Sequence, residues 1–345
     1  MEVNNCPSCG GKIEYSPSAK ALKCEKCAKL FPVAFKQALE KKRIAEALGS
    51  KQSGFKKWQK SKRTFHCENC GAEIILNSFE MSTRCSYCNT SSLVPIDKLP
   101  GLKPDAVVPF TIDKDKACEV FKQKVRGKFF LPNKFKKNLP NIEIGATYIS
   151  SFSYDMVIHA DYHGLRAETE IIGSGENRRT VVKLVPFSGH IDKNYDNIVV
   201  EMSEKISQYQ INAILPYNFT ESYEYNDDFI TGYSVEYYNQ SAFDATSIAQ
   251  RQALSLTEHE IRIRHSPVRS LTVRPTYSNV KYSYVLLPLY FVNFKYKEKE
   301  YFNLMNGQTG NTSGKVPRSP VKITFFSVLM ALLVIGFPLL IFLLS

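Results

Sequence analysis

The chain has 345 residues, 43% of them hydrophobic and 12% aromatic, enough to bury a medium-sized core beside small modules and to exclude an intrinsically disordered protein. Its formal net charge of +12 favours anionic partners such as nucleic acid or phospholipid headgroups. Residues 1–12 hold no apolar run, so no signal peptide is expected, and a secreted disulfide framework is disfavoured for the nine cysteines.

Eight of those cysteines form two copies of one pattern, Cys-x-x-Cys, fourteen residues, Cys-x-x-Cys. The first copy is Cys6, Cys9, Cys24 and Cys27, and the second is Cys67, Cys70, Cys85 and Cys88. A shift of 61 residues superposes all four cysteines, a following glycine (Gly10, Gly71) and an isoleucine (Ile13, Ile74). Four thiolates on two short knuckles suit tetrahedral Zn2+, so two structural zinc ions are expected. Each filled tetrathiolate site carries −2, which leaves the chain at +8 and still basic. The ninth, Cys118, sits in an amphipathic helical pattern and reads as a small apolar core residue.

In chain order, zinc ribbon one spans 1–35. A basic helical linker, 36–64, follows with ten Lys/Arg against two Glu. In its first half Phe35, Ala38, Leu39, Ala45 and Leu48 fall near one helical face. Its second half carries the single tryptophan among basic residues: Lys56, Lys57, Trp58, Lys60, Lys62 and Arg63 are the candidate contacts to an anionic membrane or a phosphate backbone. The plainer alternative is a solvated connector. Ribbon two spans 65–95, and a proline-containing linker, 96–110, leads to a body at 111–312.

In the body, Thr111–Lys124 reads as a capped helix, Tyr154–Ile172 as an alternating strand, and Asp244–Arg264 as a longer helix. Tyr282–Lys295 is an apolar strand returning into Tyr301–Met305, with Pro288 pointing to an edge or a bulge. The fold class expected is α+β: two small four-cysteine zinc ribbons, a mixed, largely antiparallel body and one C-terminal transmembrane helix. Asp155, His159, Asp161 and His163 share one face of the first strand and could bind a metal or do acid–base work, although a half-solvated strand shows the same pattern. His66, His190, His259 and His265 are scattered, and no catalytic motif is present, so no enzyme is expected.

A glycine-rich segment, Asn306–Lys315, leads to basic residues 313–322 and then to Ile323–Leu344, 22 residues without a charge. At 1.5 Å per residue this is about 33 Å, enough for a ~30 Å hydrocarbon core. Lys315, Arg318 and Lys322 on the near side place the N-terminal bulk in the cytoplasm, giving a tail-anchored, single-pass protein of the cell membrane.

Cys-Pro-Ser-Cys-Gly-Gly and His-Cys-Glu-Asn-Cys-Gly-Ala-Glu look like zinc ribbons of the TFIIB type. With Val108-Pro-Phe, Leu286-Leu-Pro-Leu-Tyr, Met305-Asn-Gly-Gln-Thr-Gly and the apolar terminus, the chain resembles a YdjG-like family of bacterial zinc-ribbon, C-terminally anchored proteins. That resemblance implies an adaptor that recruits cytosolic proteins to the inner face of the membrane. It implies as partners a flotillin-like (SPFH) protein and phage-shock protein A of a membrane-stress system. The alternative is a membrane-tethered nucleic-acid binder using the ribbons and the basic linker.

Overall fold

The computed structural model describes residues 5–344 apart from 39, 49–54, 78–83, 98–101, 202–204 and 237–240, with the side chains of 47, 48, 55–57, 77, 176 and 335–344 also outside the description. The chain opens with β1 (Ile13–Ser16), β2 (Ala21–Cys24) and β3 (Leu30–Pro32), an antiparallel sheet of their own. Next come β4 (Lys42–Arg43), a 3-10 turn at Ile44–Leu48, α1 (Phe55–Lys60), β5 (Lys62–Cys67), β6 (Glu73–Asn77), β7 (Leu93–Ile96) and β8 (Ala106–Val107). Two short helices, α2 (Lys114–Arg126) and α3 (Asn133–Lys137), precede the long strands β9 (Glu143–Ile172) and β10 (Arg179–Glu201). Then follow α4 (Gln208–Asn212), β11 (Tyr223–Glu224), α5 (Asp227–Ile230), β12 (Ser234–Glu236) and α6 (Ala242–Arg264). The chain closes with β13 (Val268–Tyr296), β14 (Lys299–Asn306), β15 (Thr312–Gly314) and α7 (Pro320–Leu344).

A twelve-stranded, mostly antiparallel sheet dominates the body, with the path β11-β8-β13-β9-β12-β6-β5-β7. Its spine is the antiparallel pair β9–β13, whose register runs from Arg166 opposite Val268 to Glu143 opposite Asn293. The lower half of β9 is buried on both faces, so Ser150, Ser151 and Ser153 lie inside and need partners. Ser150 donates to the Glu236 carbonyl at 2.9 Å and Ser151 to the Glu201 carboxylate at 2.8 Å. The upper half, from Tyr154 onward, buries only alternate residues: Met156, Ile158, Ala160 and Tyr162.

That upper half, with β10 and the first half of β13, forms a three-stranded arm. Helix α6 lies on one side of it. The Ser241 hydroxyl caps the helix by accepting from the Asp244 amide at 3.2 Å. Its buried stripe, Ala245, Ala249, Ala253, Thr257 and Ile261, recurs every four residues and is small enough for close approach to the sheet. Ile261 meets Ile158, Ala160, Tyr162 and Ile191 in the arm's own apolar cluster. Two bulges bend the arm, between Tyr195 and Ile198 and between Ser278 and Lys281. Asn197 and Asn279 take left-handed φ values of 57° and 52° at these points.

Several expectations change. Residues 35–48 are not one helix but β4 and a 3-10 turn; Leu39 and the Leu48 side chain lie outside the described residues. Long-range ion pairs override the local apolar spacing: Lys41 and Lys42 reach Asp155 and Asp105, each at 2.5 Å. Pro288 is neither on an edge strand nor in a bulge. It sits where β13 has no ladder partner on one side, between the pairing with β8, whose Val107 lies opposite Leu286, and the pairing with β14, whose last residue Asn306 lies opposite Leu289. The segment after β14 is not a loose connector, because Asn306 and Gln308 are buried and bonded to the carbonyls of Ile214, Pro216 and Asn218.

The expected transmembrane helix is also corrected. Among the described residues no helix is long and apolar enough to cross a membrane. The side chains of α7 are described only as far as Val334. The α+β class with a terminal span at 323–344 therefore gives way to a mixed, sheet-dominated body, and the single-pass placement at the inner face of the cell membrane loses its support. The start of α7 is instead tied to the 129–131 turn, where Ser319 N–H donates to the Phe130 carbonyl at 2.7 Å and Lys322 Nζ to that of Leu131 at 2.9 Å.

Candidate metal centres

Four copies of one turn hold the eight cysteines. In each, the amide of the residue after the second cysteine donates to the carbonyl of the first: Gly10 to Cys6 (2.7 Å), Ala28 to Cys24 (3.0 Å), Gly71 to Cys67 (2.7 Å) and Asn89 to Cys85 (2.9 Å). Each closing residue is left-handed, with φ of 70°, 58°, 69° and 59° in that order. A second bond returns from the amide of the first cysteine, to the carbonyls of Gly11, Lys29, Ala72 and Thr90. The repeat visible as spacing is thus a repeat of backbone geometry, and it turns both thiols of every knuckle to one side.

Paired knuckles bring their sulfurs together. Cys6 and Cys27 are 3.6 Å apart and Cys9 and Cys24 3.5 Å; Cys67 and Cys88 are 3.6 Å apart and Cys70 and Cys85 3.7 Å. Within each quartet all ligand atoms lie within 4.8 Å of one another. A tetrahedron with Zn–S bonds of ~2.3 Å has edges of about 3.8 Å. The quartets are compatible with two zinc ions, and all nine cysteines are free of disulfides.

The thiols are electrostatically divided. Burial raises Cys6, but the Ser8 amide and the Cys27 thiol outweigh it and bring Cys6 down to about 6. The Gly11 amide lowers Cys9, yet the neighbouring sulfurs, Cys27 first, push it up to about 12. The Cys27 amide draws Cys24 below the usual thiol range. In the second quartet burial lifts Cys70 to about 11 and carries Cys85 higher still. Burial also opposes ionisation of Cys88, but the Thr90 hydroxyl and the Asn69 side chain bring it down to about 6. Crowded thiols that cannot all ionise together are poised to exchange protons for a divalent cation.

The ribbons attach to the body differently. Ribbon one keeps its own sheet and docks through Tyr15, whose amide donates to the Thr231 carbonyl at 2.9 Å and whose ring meets Phe229 edge-on. Ribbon two is built into the large sheet, where β6 pairs with β12 and Cys67 and Cys85 are fully buried.

The basic stretch is divided as well. Trp58 is buried and its indole donates to the Tyr225 hydroxyl at 3.1 Å, while the Lys62 side chain is inside and pairs with Asp227 at 2.7 Å. Lys60 and Arg63 are exposed, and the side chains of Lys56 and Lys57 lie outside the described residues. Of the row on β9, Asp155 turns to Lys41 and also accepts from the Asn197 amide at 2.8 Å, latching one bulge. His159 and Asp161 meet His190 and Asp192 from β10, and His163 lies further along the exposed face. In the sequence His190 reads as one of the scattered histidines and Asp192 does not stand out. A signal existed: His-x-Asp occurs at 159–161 and again at 190–192, and antiparallel pairing opposes the two copies. Cys118 is half-exposed on α2, whose buried residues are Ala117, Phe121 and Val125.

No family model matches the chain, and no solved structure matches it. The chain is similar to an uncharacterized Bacillus subtilis (strain 168) protein, YdjG, at 26% identity over 322 residues, covering 92% of this chain and 91% of that protein.

Proposed function

We propose that the chain is a zinc-ribbon adaptor, a binding protein that holds other proteins on a rigid, sheet-built body. In this reading each cysteine quartet holds one structural Zn2+ in a ribbon of the TFIIB type, with the eight cysteines as ligands. A tetrathiolate site has no open coordination position, so the ion folds and fixes the ribbon and takes no substrate.

The observation that carries the reading is at the far end of the arm. Beyond Arg166, which lies opposite Val268 at the start of β13, the β9–β10 hairpin continues alone. One face there carries Ile171, Val182 and Leu184, exposed at 53%, 56% and 53%, with Ala167 opposite Leu184. A two-stranded ribbon is marginal by itself in water, and a contiguous apolar strip marks an interaction surface. Both features fit a hairpin completed by a protein partner presenting its own apolar surface. The partners implied by the family resemblance, a flotillin-like (SPFH) protein and phage-shock protein A, are the first to test.

The test is retention of each purified partner by the immobilised full chain. The wild type should retain at least one. The double substitution Ile171→Lys, Leu184→Lys should lose it while keeping its thermal transition. Retention of neither protein, or unchanged retention by the double variant, refutes the adaptor reading. Tight nucleic-acid binding that falls steeply with salt would favour the alternative instead.

A further inference from the structure

We propose that His159, His190 and Asp192 form a third metal site, an exchangeable one for a divalent transition-metal ion, on the open face of the arm. The antiparallel register of β9 and β10 sets His159 opposite Asp192 and Asp161 opposite His190, so all four side chains project from the same face. The opposite face is fixed against α6 through Ile158, Ala160, Ile191 and Ile261, which places the cluster on a rigid scaffold.

The imidazoles converge. His159 Nδ1 and His190 Nε2 both lie on Asp192 Oδ1, at 2.6 and 2.9 Å. Their remaining nitrogens are held from behind. His190 Nδ1 is 2.6 Å from the Asp161 carboxylate and His159 Nε2 is 2.8 Å from the Ser278 hydroxyl on β13. Two imidazoles aimed at one point, each oriented by an outer oxygen, is the arrangement that metal-ligating histidines show. Bonds of ~2.0–2.1 Å to such donors need ligand separations of about 3.3 Å. Half-exposed side chains reach that with a small opening of the present contacts, and one ligand atom from each residue already lies within 4.8 Å of the others.

Charge and donor type choose the ion. Asp161 and Asp192 with neutral imidazoles carry −2, which a divalent ion cancels. Arg274, opposite Asp161 on β13, is the cation nearest in register, and His163 lies one step further along the face. Imidazole and carboxylate together suit Zn2+, Ni2+ or Cu2+ over Mg2+ or Ca2+. Three protein ligands leave a coordination position to water, so this ion should exchange readily, unlike one enclosed by four thiolates.

The test uses the full chain titrated with Co2+, followed by equilibrium dialysis and visible absorption. The wild type should bind three equivalents, two with thiolate charge-transfer bands and a third, weaker one without them. His159→Ala, His190→Ala and the near-isosteric Asp192→Asn should each bind two, with the thiolate bands intact. Asp161→Asn should weaken the third equivalent by about 10–100-fold, as expected for an orienting carboxylate. A wild type that stops at two equivalents overturns the proposal. So does a third equivalent that survives in the histidine variants and in Asp192→Asn.

Discussion

Ala28 closes the second of four like turns in chain order with φ 58°, where Gly10 and Gly71 close the first of each pair. A left-handed conformation costs an L-residue with a Cβ about 1–2 kcal/mol. Replacing it by glycine also loosens the unfolded chain, which returns about 0.4–1 kcal/mol. Ala28→Gly should therefore stabilise ribbon one by about 0.5–1 kcal/mol. Folding and metal binding are coupled in so small a module, so the gain should appear as zinc held about two- to fivefold tighter. The reciprocal change, Gly10→Ala, should weaken zinc by a similar factor or more. A Cβ there meets nothing within 4 Å, so its effect is the backbone penalty alone. Gly11→Ala is the steric contrast: its Cβ would lie 2.8 Å from Lys26 Cβ and 3.0 Å from Cys24 Sγ. The assay is competition for zinc with a chromophoric chelator at fixed pH. Unchanged or weaker binding in Ala28→Gly, or no loss in Gly10→Ala, would refute the argument that backbone geometry limits the knuckle.

Two further outcomes follow from the same geometry. Dividing the 10–16 kcal/mol of zinc-finger metal binding over four ligands gives about 2.5–4 kcal/mol for each. In Cys85→Ser that loss falls on strands continuous with the main sheet and should lower the body's melting point by about 5–16 °C, whereas Cys24→Ser should melt ribbon one and leave the main calorimetric transition in place. Acid should release zinc: Cys9 and Cys70, pushed up to about 12 and 11, hold their protons at neutral pH in the metal-free chain, so affinity must rise with pH. Chelator competition between pH 6 and 8 should show it, up to about tenfold per pH unit for each proton displaced.

The two quartets were legible in the sequence because the ligands, their turns and their spacing are all local. The upper half of β9 was legible for the same kind of reason: one solvated face leaves alternation from Tyr154 onward. Its lower half was not, since burial on both faces places Ser150, Ser151 and Ser153 inside, where hydrogen bonds to Glu236 and Glu201 satisfy the first two. Residues 35–48 carried helical spacing, but Lys41 and Lys42 are claimed by Asp155 and Asp105, far away in sequence. Trp58 among lysines looked like a surface contact, and only the fold brings Tyr225 to its indole. The His-x-Asp pairs needed a register that no local pattern states. The apolar terminus reads as a membrane span from its length, its lack of charge and its basic flank, and no helix among the described residues is long and apolar enough to cross a membrane.

The central claim, that eight cysteines hold two zinc ions, is tested most directly by zinc X-ray absorption on the full chain after dialysis to remove exchangeable metal. Two zinc per chain, each with a single shell of four sulfurs at about 2.3 Å, is the result expected of two closed tetrathiolate sites. Fewer than two zinc per chain, or a first shell with a substantial nitrogen or oxygen component, would contradict it.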